Sequence, residues 1–272
     1  MLKQLFHISQ GDQAEATQQV LSIQVGERHC GFAISNKAGE QSYELAYYAT
    51  DALEINPLAT IFSQHEKLNN SFYQILISYD HPQSTLLPVQ HFNADDAGLL
   101  MKTLYAVNGT STIISEKVAE WQLYNIYAVP NELHNWTSKQ FTAGKFWHQY
   151  SVAIKNLKAA DEGGHLVVDF RTDDFTVLVA SNNKLLLTQT FVYTTPEDVL
   201  YQLLKICEQF RLSQKTIQLS LAGMIDQQSA LYKELYQYFL HIEFRNASWN
   251  IPGDEYPAHF FTSLNDLAQC AS

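Results

Sequence analysis

Apolar residues follow two rhythms along this chain, every second position and every third or fourth, and the switches between them mark out the elements. Residues 20–25 alternate loosely through Val20, Ile23 and Val25. A Gly26-Glu27-Arg28-His29 turn then leads into a second apolar run at 30–34. A third run, 42–49, carries Tyr43, Leu45, Tyr47 and Ala49 on one face, as a strand does. Pro57 opens a helix-period segment through Leu58, Ile61, Phe62, His65 and Leu68. Residues 72–79 then read as a buried strand, so the predicted order is β-β-β-α-β.

That order returns roughly 140 to 145 residues later, after Gly163-Gly164. Residues 165–170, 175–180 and 184–192 read as strands, with Ser181-Asn182-Asn183 supplying a hairpin turn. Thr195 suits a helix N-cap, Pro196 the first helical position, and Asp198 a residue that reaches back to the cap. Val199, Leu203, Ile206 and Phe210 follow at helical spacing, and a strand at 217–222 ends the unit at Gly223. Between the repeats lie helical patterns at Ala97, Leu100, Met101 and Leu104 and at Tyr150, Ile154 and Leu157. A strand is predicted at 123–129, and Asn131 is expected to cap a short helix with Leu133 and Trp136. Pro257-Ala258-His259-Phe260-Phe261, followed by Leu264, Leu267 and Ala268, predicts a short closing helix docked on the second half. The expected halves are 1–160, with an N-terminal extension, and 161–272.

Composition narrows the picture. A chain of 272 residues has room for two cores, and 46% hydrophobic against 17% charged residues is a globular balance. With 17 basic and 28 acidic residues the net charge is -11, which opposes nucleic acid and anionic membrane surfaces. No continuous apolar stretch suits a signal peptide or a membrane span. Cys30, Cys207 and Cys270 are odd in number and far apart, the usage expected of a protein in the reducing cytoplasm. The ten histidines form no HxH or HExxH pattern, and Asp95-Asp96, Asp161-Glu162 and Asp173-Asp174 lack calcium-loop spacing, so no metal site is expected. Asp95-Asp96 instead suits a helix start behind Asn93. No G-x-S-x-G elbow is present. Tyrosines at 43, 47 and 48 and at 232, 236 and 238 suit either a core or a protein interface.

Three strand ends carry the remaining chemistry. The first reads Gln24-Val25-Gly26, the second Asp169-Phe170-Arg171-Thr172-Asp173-Asp174, and the third Ala222-Gly223-Met224. On these positions and the repeated order, over residues 20–268, the chain resembles the actin-like ATPase superfamily, which includes actin and the pilus-assembly protein PilM. Within it, the chain resembles an uncharacterised bacterial family of unknown function. The resemblance implies an α/β fold of two ribonuclease-H-like halves, each a mixed sheet flanked by helices, with a central cleft between them. It also implies a phosphate loop after each first strand, where backbone N–H groups surround phosphate oxygens and an Asp positions Mg²⁺ or water.

Against that pattern, Gln24 lacks the acid's charge. Asp169 keeps it, but Phe170 and Arg171 replace flexible glycine positions, although an Arg binds phosphate well. Gly223 stands alone where the adenosine turn has two glycines. The implied nucleotide contacts are Gln24, Gly26, Asp169, Arg171, Thr172 and Gly223, with Asp169 the catalytic candidate and ATP and Mg²⁺ the implied cofactors. The degenerate motifs favour a non-catalytic cytoplasmic scaffold or binding protein with a protein partner and no nucleic acid. The alternatives are an active Mg-ATP-dependent ATPase or kinase using Asp169, and a cleft reassigned to another small molecule.

Overall fold

The structure, a computed structural model, describes residues 2–9, 15–52, 55–157, 162–250 and 256–270. The acidic pair at 161–162 therefore lies partly outside the described residues, at Asp161. The chain divides into two units. The first comprises Met1–Lys155, Ser248–Pro252 and Leu264–Ser272, and the second Asn156–Ala247 and Gly253–Ser263.

In the first unit the elements run β1 (Lys3–Ser9), β2 (Gln19–Gly26), β3 (His29–Asn36), β4 (Ser42–Ala49), α1 (Ile55–Gln64) and β5 (Gln74–Asp80). They continue as β6 (Ser84–Pro88), α2 (Ala97–Tyr105), β7 (Ser111–Val118), β8 (Leu123–Pro130), α3 (Asn131–Gln140), β9 (Gly144–His148) and α4 (Gln149–Lys155). One six-stranded sheet has the order β1-β4-β3-β2-β5-β9, and β6-β8-β7 form a smaller one. Both faces of β2 are covered, so all eight of its residues are buried. Leu21, Ile23, Phe32, Leu58, Ile61 and Ile77 belong to the core beneath α1. Parallel pairing of β2 with β5 sets Gly26 opposite Asp80, bringing the carboxyl ends of two buried strands together.

The second unit repeats the plan with β10 (His165–Phe170), β11 (Asp174–Ser181), β12 (Lys184–Val192), α5 (Pro196–Phe210), β13 (Gln218–Gly223), α6 (Ala230–Tyr238) and β14 (His241–Phe244). The sheet order is β12-β11-β10-β13-β14, with β10, β13 and β14 parallel. Asn182 and Asn183 have φ of 51° and 57°, the left-handed pair of a type I′ turn, which matches the strand twist. Thr195 and Asp198 form the expected capping box, and α5 buries Val199, Leu203, Ile206 and Cys207. Asp169 on β10 lies between Thr176 on β11 and Ala222 on β13.

Several elements depart from the sequence reading. Residues 3–9 form strand β1, paired antiparallel with β4. Asn131 does not cap α3, whose N-cap is Pro130; its side chain donates to the Gly109 carbonyl and accepts from Thr112. The closing segment divides: Ala258–Phe261 packs on the second unit, where His259 donates to the Ile225 carbonyl, whereas α7 (Thr262–Gln269) runs onto the first. Its Leu267 packs with Val20, Leu76 and Val152 of the first unit, and Asn265 donates to the Gly39 carbonyl at 3.1 Å. Shape decides this: the face of the first sheet around Val20 and Leu76 needs an apolar cover, and α7 supplies it.

Candidate functional site

The first strand end is a buried polar cluster. Gln24 is 2% exposed and donates from Nε2 to Asp80 Oδ2 at 3.0 Å. His29 Nε2 lies 3.2 Å from the same oxygen, and its ring stacks on Tyr47 with centroids 5.6 Å apart. The His29 ring also occupies the space above Gly26, where a Cβ would lie 2.0 Å from its Cε1. Gly26 is thus required by the imidazole packed against it. In the turn, the exposed Glu27 pairs with His81 at 3.8 Å, and the His81 imidazole holds the Glu27 carboxyl below its ordinary range.

His148 completes this end of the sheet. Its Nε2–H donates to the His81 carbonyl at 2.9 Å, while Nδ1 accepts the Tyr150 N–H at 3.1 Å. Both nitrogens are used by the neutral ring, and burial lowers its pKa to about 4. The His148 backbone N–H donates to Glu116 at 2.9 Å, but burial outweighs that bond and lifts the Glu116 carboxyl to about 7.

In the second unit, Asp169 is half-buried and its Oδ1 reaches the Gly223 turn. Gly223 has φ +75°, and a Cβ there would lie 2.5 Å from Asp169 Oδ1 and 2.1 Å from the Phe170 carbonyl oxygen. The Met224 N–H donates to that carbonyl at 2.8 Å, which closes the turn. Arg171 is 4% exposed and directed back into its own sheet. Its Nε donates to Asp174 and its Nη2 to Thr176 Oγ1 at 2.6 Å, with Thr190 next in line at 2.8 Å. Thr172 is exposed at the hairpin tip. Asp169 and Gly223 therefore meet within one unit, whereas the Arg171 guanidinium is held by Asp174 and Thr176.

A groove of about 470 Å³ follows the Gly223 turn, lined by Asp226, Gln228, Phe244, Asn246, Pro257 and His259 among others. Phe244 stacks on His259 at 4.2 Å, and His259 Nε2–H donates to the Ile225 carbonyl at 2.7 Å. Tyr232 stacks on Phe244 and Tyr236 on Tyr232, a row of four rings from the groove to the exposed Tyr236. Tyr47 and Tyr48, by contrast, are core residues.

The family described as protein of unknown function (DUF3822) matches residues 9–242. The chain belongs to that family. Among solved structures, this family member is similar to a Bacteroides thetaiotaomicron protein with an actin-like ATPase fold and unknown function. The two are 20% identical with a TM-score of 0.79, over 94% of this chain and 97% of that one. It is also similar to the PilM-PilN type IV pilus biogenesis complex, at 11% identity and TM-score 0.63, over 94% and 99%. The ethanolamine utilization protein EutJ from Carboxydothermus hydrogenoformans matches at 8% identity and TM-score 0.55, over 96% and 92%. No curated protein matches. The family member has the actin-like ATPase fold, as its strand-end motifs and element order implied. Among the described residues no helix is long and apolar enough to cross a membrane.

Sequence reasoning missed Asp80, His29, His81, His148 and Glu116 at the first strand end. Asp80 carried a usable signal, since it directly follows a predicted buried strand. His29 and His81 adjoin Gly26 and Asp80 in sequence, whereas His148 arrives through the pairing of β5 with β9 and Glu116 through its bond to the His148 N–H.

Proposed function

We propose that this chain is a partner-binding actin-like protein of the cytoplasm that does not turn nucleotide over. The observation that carries this reading is the filled first turn. A phosphate loop needs open backbone N–H groups and a carboxylate free to hold a metal-bound water. Here the His29 ring covers Gly26, and Gln24 and His29 converge on Asp80. The buried Arg171 guanidinium, committed to Asp174 and Thr176, adds support. A protein partner is suggested by PilM, whose structure is a complex with PilN. The groove at Phe244 and His259, with exposed Tyr236, Tyr238 and Leu240 nearby in sequence, offers aromatic surface of the kind that anchors protein partners. Three free thiols, two of them buried, accord with a reducing compartment.

Asp169 favours a second reading, an ATPase or kinase, because its half-buried carboxylate abuts the Gly223 turn. Thermal melts with millimolar Mg-ATP separate the two. The partner-binding reading expects a shift of less than about 1 °C, against several degrees for a nucleotide held at 100 times its dissociation constant. A large shift with phosphate release that Asp169→Asn abolishes would establish the enzyme instead. Affinity capture from the source cell should recover one stoichiometric protein, lost with Tyr236→Ala.

A further inference from the structure

Three side chains from separate elements of the first unit converge on one point. His7 lies on β1, Glu44 on β4 and His65 just beyond α1, and one donor atom from each lies within 4.8 Å of the other two. Glu44 Oε1 is 3.0 Å from His7 Nε2 and 3.3 Å from His65 Nδ1. Glu44 and His65 are buried, while the His7 side chain is 35% exposed and leaves one side open to water.

The hydrogen bonds around His65 decide what belongs between these atoms. The Tyr48 hydroxyl donates to Gln4 Oε1 at 2.8 Å, so its oxygen accepts from His65 Nε2 at 2.6 Å. This network assigns the His65 proton to Nε2 and turns an Nδ1 lone pair toward Glu44 Oε1. A lone pair facing a carboxylate oxygen at that range is repulsive unless a cation sits between them. His7 Nε2 approaches the same oxygen.

We propose that His7, Glu44 and His65 bind a divalent transition-metal ion, Zn²⁺ by the character of the donors, with water as the remaining ligand. Tetrahedral Zn²⁺ bonded at about 2.0 Å places its donors about 3.3 Å apart, close to the separations from Glu44 Oε1. Tyr48 supplies the outer hydrogen bond that orients a ligating imidazole and raises its basicity. Glu44 supplies the anionic donor, buried between the two imidazoles. Lys67 Nζ sits 3.4 Å from Glu44 Oε2, the other oxygen, and its charge reduces affinity for a cation. The ion ties the edge strand β1 to β4 and to the end of α1.

The rival occupant is a second proton on His65, and the following experiment separates them. Tag-free full chain, stripped with chelator, is titrated with ZnCl₂ by calorimetry and thermal melts, with MgCl₂ as the control. One equivalent of Zn²⁺ should bind and raise the melting temperature by about 5 °C. In His7→Ala, whose exposed position leaves the metal-free melting temperature near wild type, affinity should fall at least tenfold. CoCl₂ should give the intense visible band of a tetrahedral site, lost in His7→Ala and in His65→Ala. No stoichiometric binding, or Zn²⁺ affinity unchanged in His7→Ala, would overturn the proposal.

Discussion

Two glycines at the strand ends do different physical jobs, and substitution separates them. Gly26→Ala drives a methyl into the His29 ring, a side chain that can rotate away at the expense of its Tyr47 stack and its Asp80 contact. Overpacking of this kind costs about 1–3 kcal/mol. His29→Ala in the same chain should remove most of that cost, a coupling that a denaturant double-mutant cycle reads directly. Simple additivity would show that the ring is not the obstacle. Gly223→Ala meets the Phe170 carbonyl at 2.1 Å with φ +75°, and neither the main chain nor the dihedral can give way. It should destabilise more than Gly26→Ala, with no rescue from Phe170→Leu. Gln24, Gly26, Asp169 and Gly223 were visible in sequence because each ends a predicted strand. Their neighbours were not. Asp80 meets Gln24 across 56 positions, a contact created by parallel pairing, to which local pattern is blind.

Among elements, the strongest local signals survived folding. The turn at Asn182-Asn183 holds two non-glycine residues in left-handed backbone, and the second such position favours glycine. Asn183→Gly should therefore raise the melting temperature by about 1–2 °C; a fall would mean the Asn183 side chain stabilises the turn more than its backbone costs. Strands β2 to β5, β10 to β13 and helix α5 were legible because apolar alternation or a capping box persisted over enough residues. The missed elements lacked that length or contrast. Strand β14 has four residues, all of them partly or fully exposed, and β7 is half-buried along most of its length without clean alternation. Helix α6 buries only Leu231 and Leu235, one turn's worth of period. β1 reads as polar because several of its side chains face water at the edge of the sheet.

At the scale of the whole molecule, the buried His148 and its half-buried neighbour Glu116 impose opposite pH dependences. His148 has its pKa lowered from 6.5 to about 4, so the unfolded chain binds more protons between those values. Its contribution is full above pH 6.5 and is lost as pH falls toward 4. Glu116 is raised from 4.5 to about 7, so the folded chain binds more protons in that window; its contribution is full below pH 4.5 and is lost as pH rises through 7. Glu116→Gln keeps an acceptor for the His148 N–H and removes the second dependence. Its melting temperature should gain on wild type as pH rises from about 5 to about 7 and level off above that, and a constant difference across the window would mean Glu116 does not hold its proton. The path of α7 bears on how the protein is made. Asn265 reaches back 226 positions to Gly39, and Leu267 covers Val20, Leu76 and Val152, whereas the second unit's sheet comes from one continuous stretch, His165 to Phe244. A nascent chain can pair the strands of the later-synthesised sheet as they emerge. The strands of the earlier sheet emerge in sequence too, but its face around Val20 and Leu76 stays uncovered until α7 is released, and an uncovered apolar patch is what chaperones bind on a nascent chain.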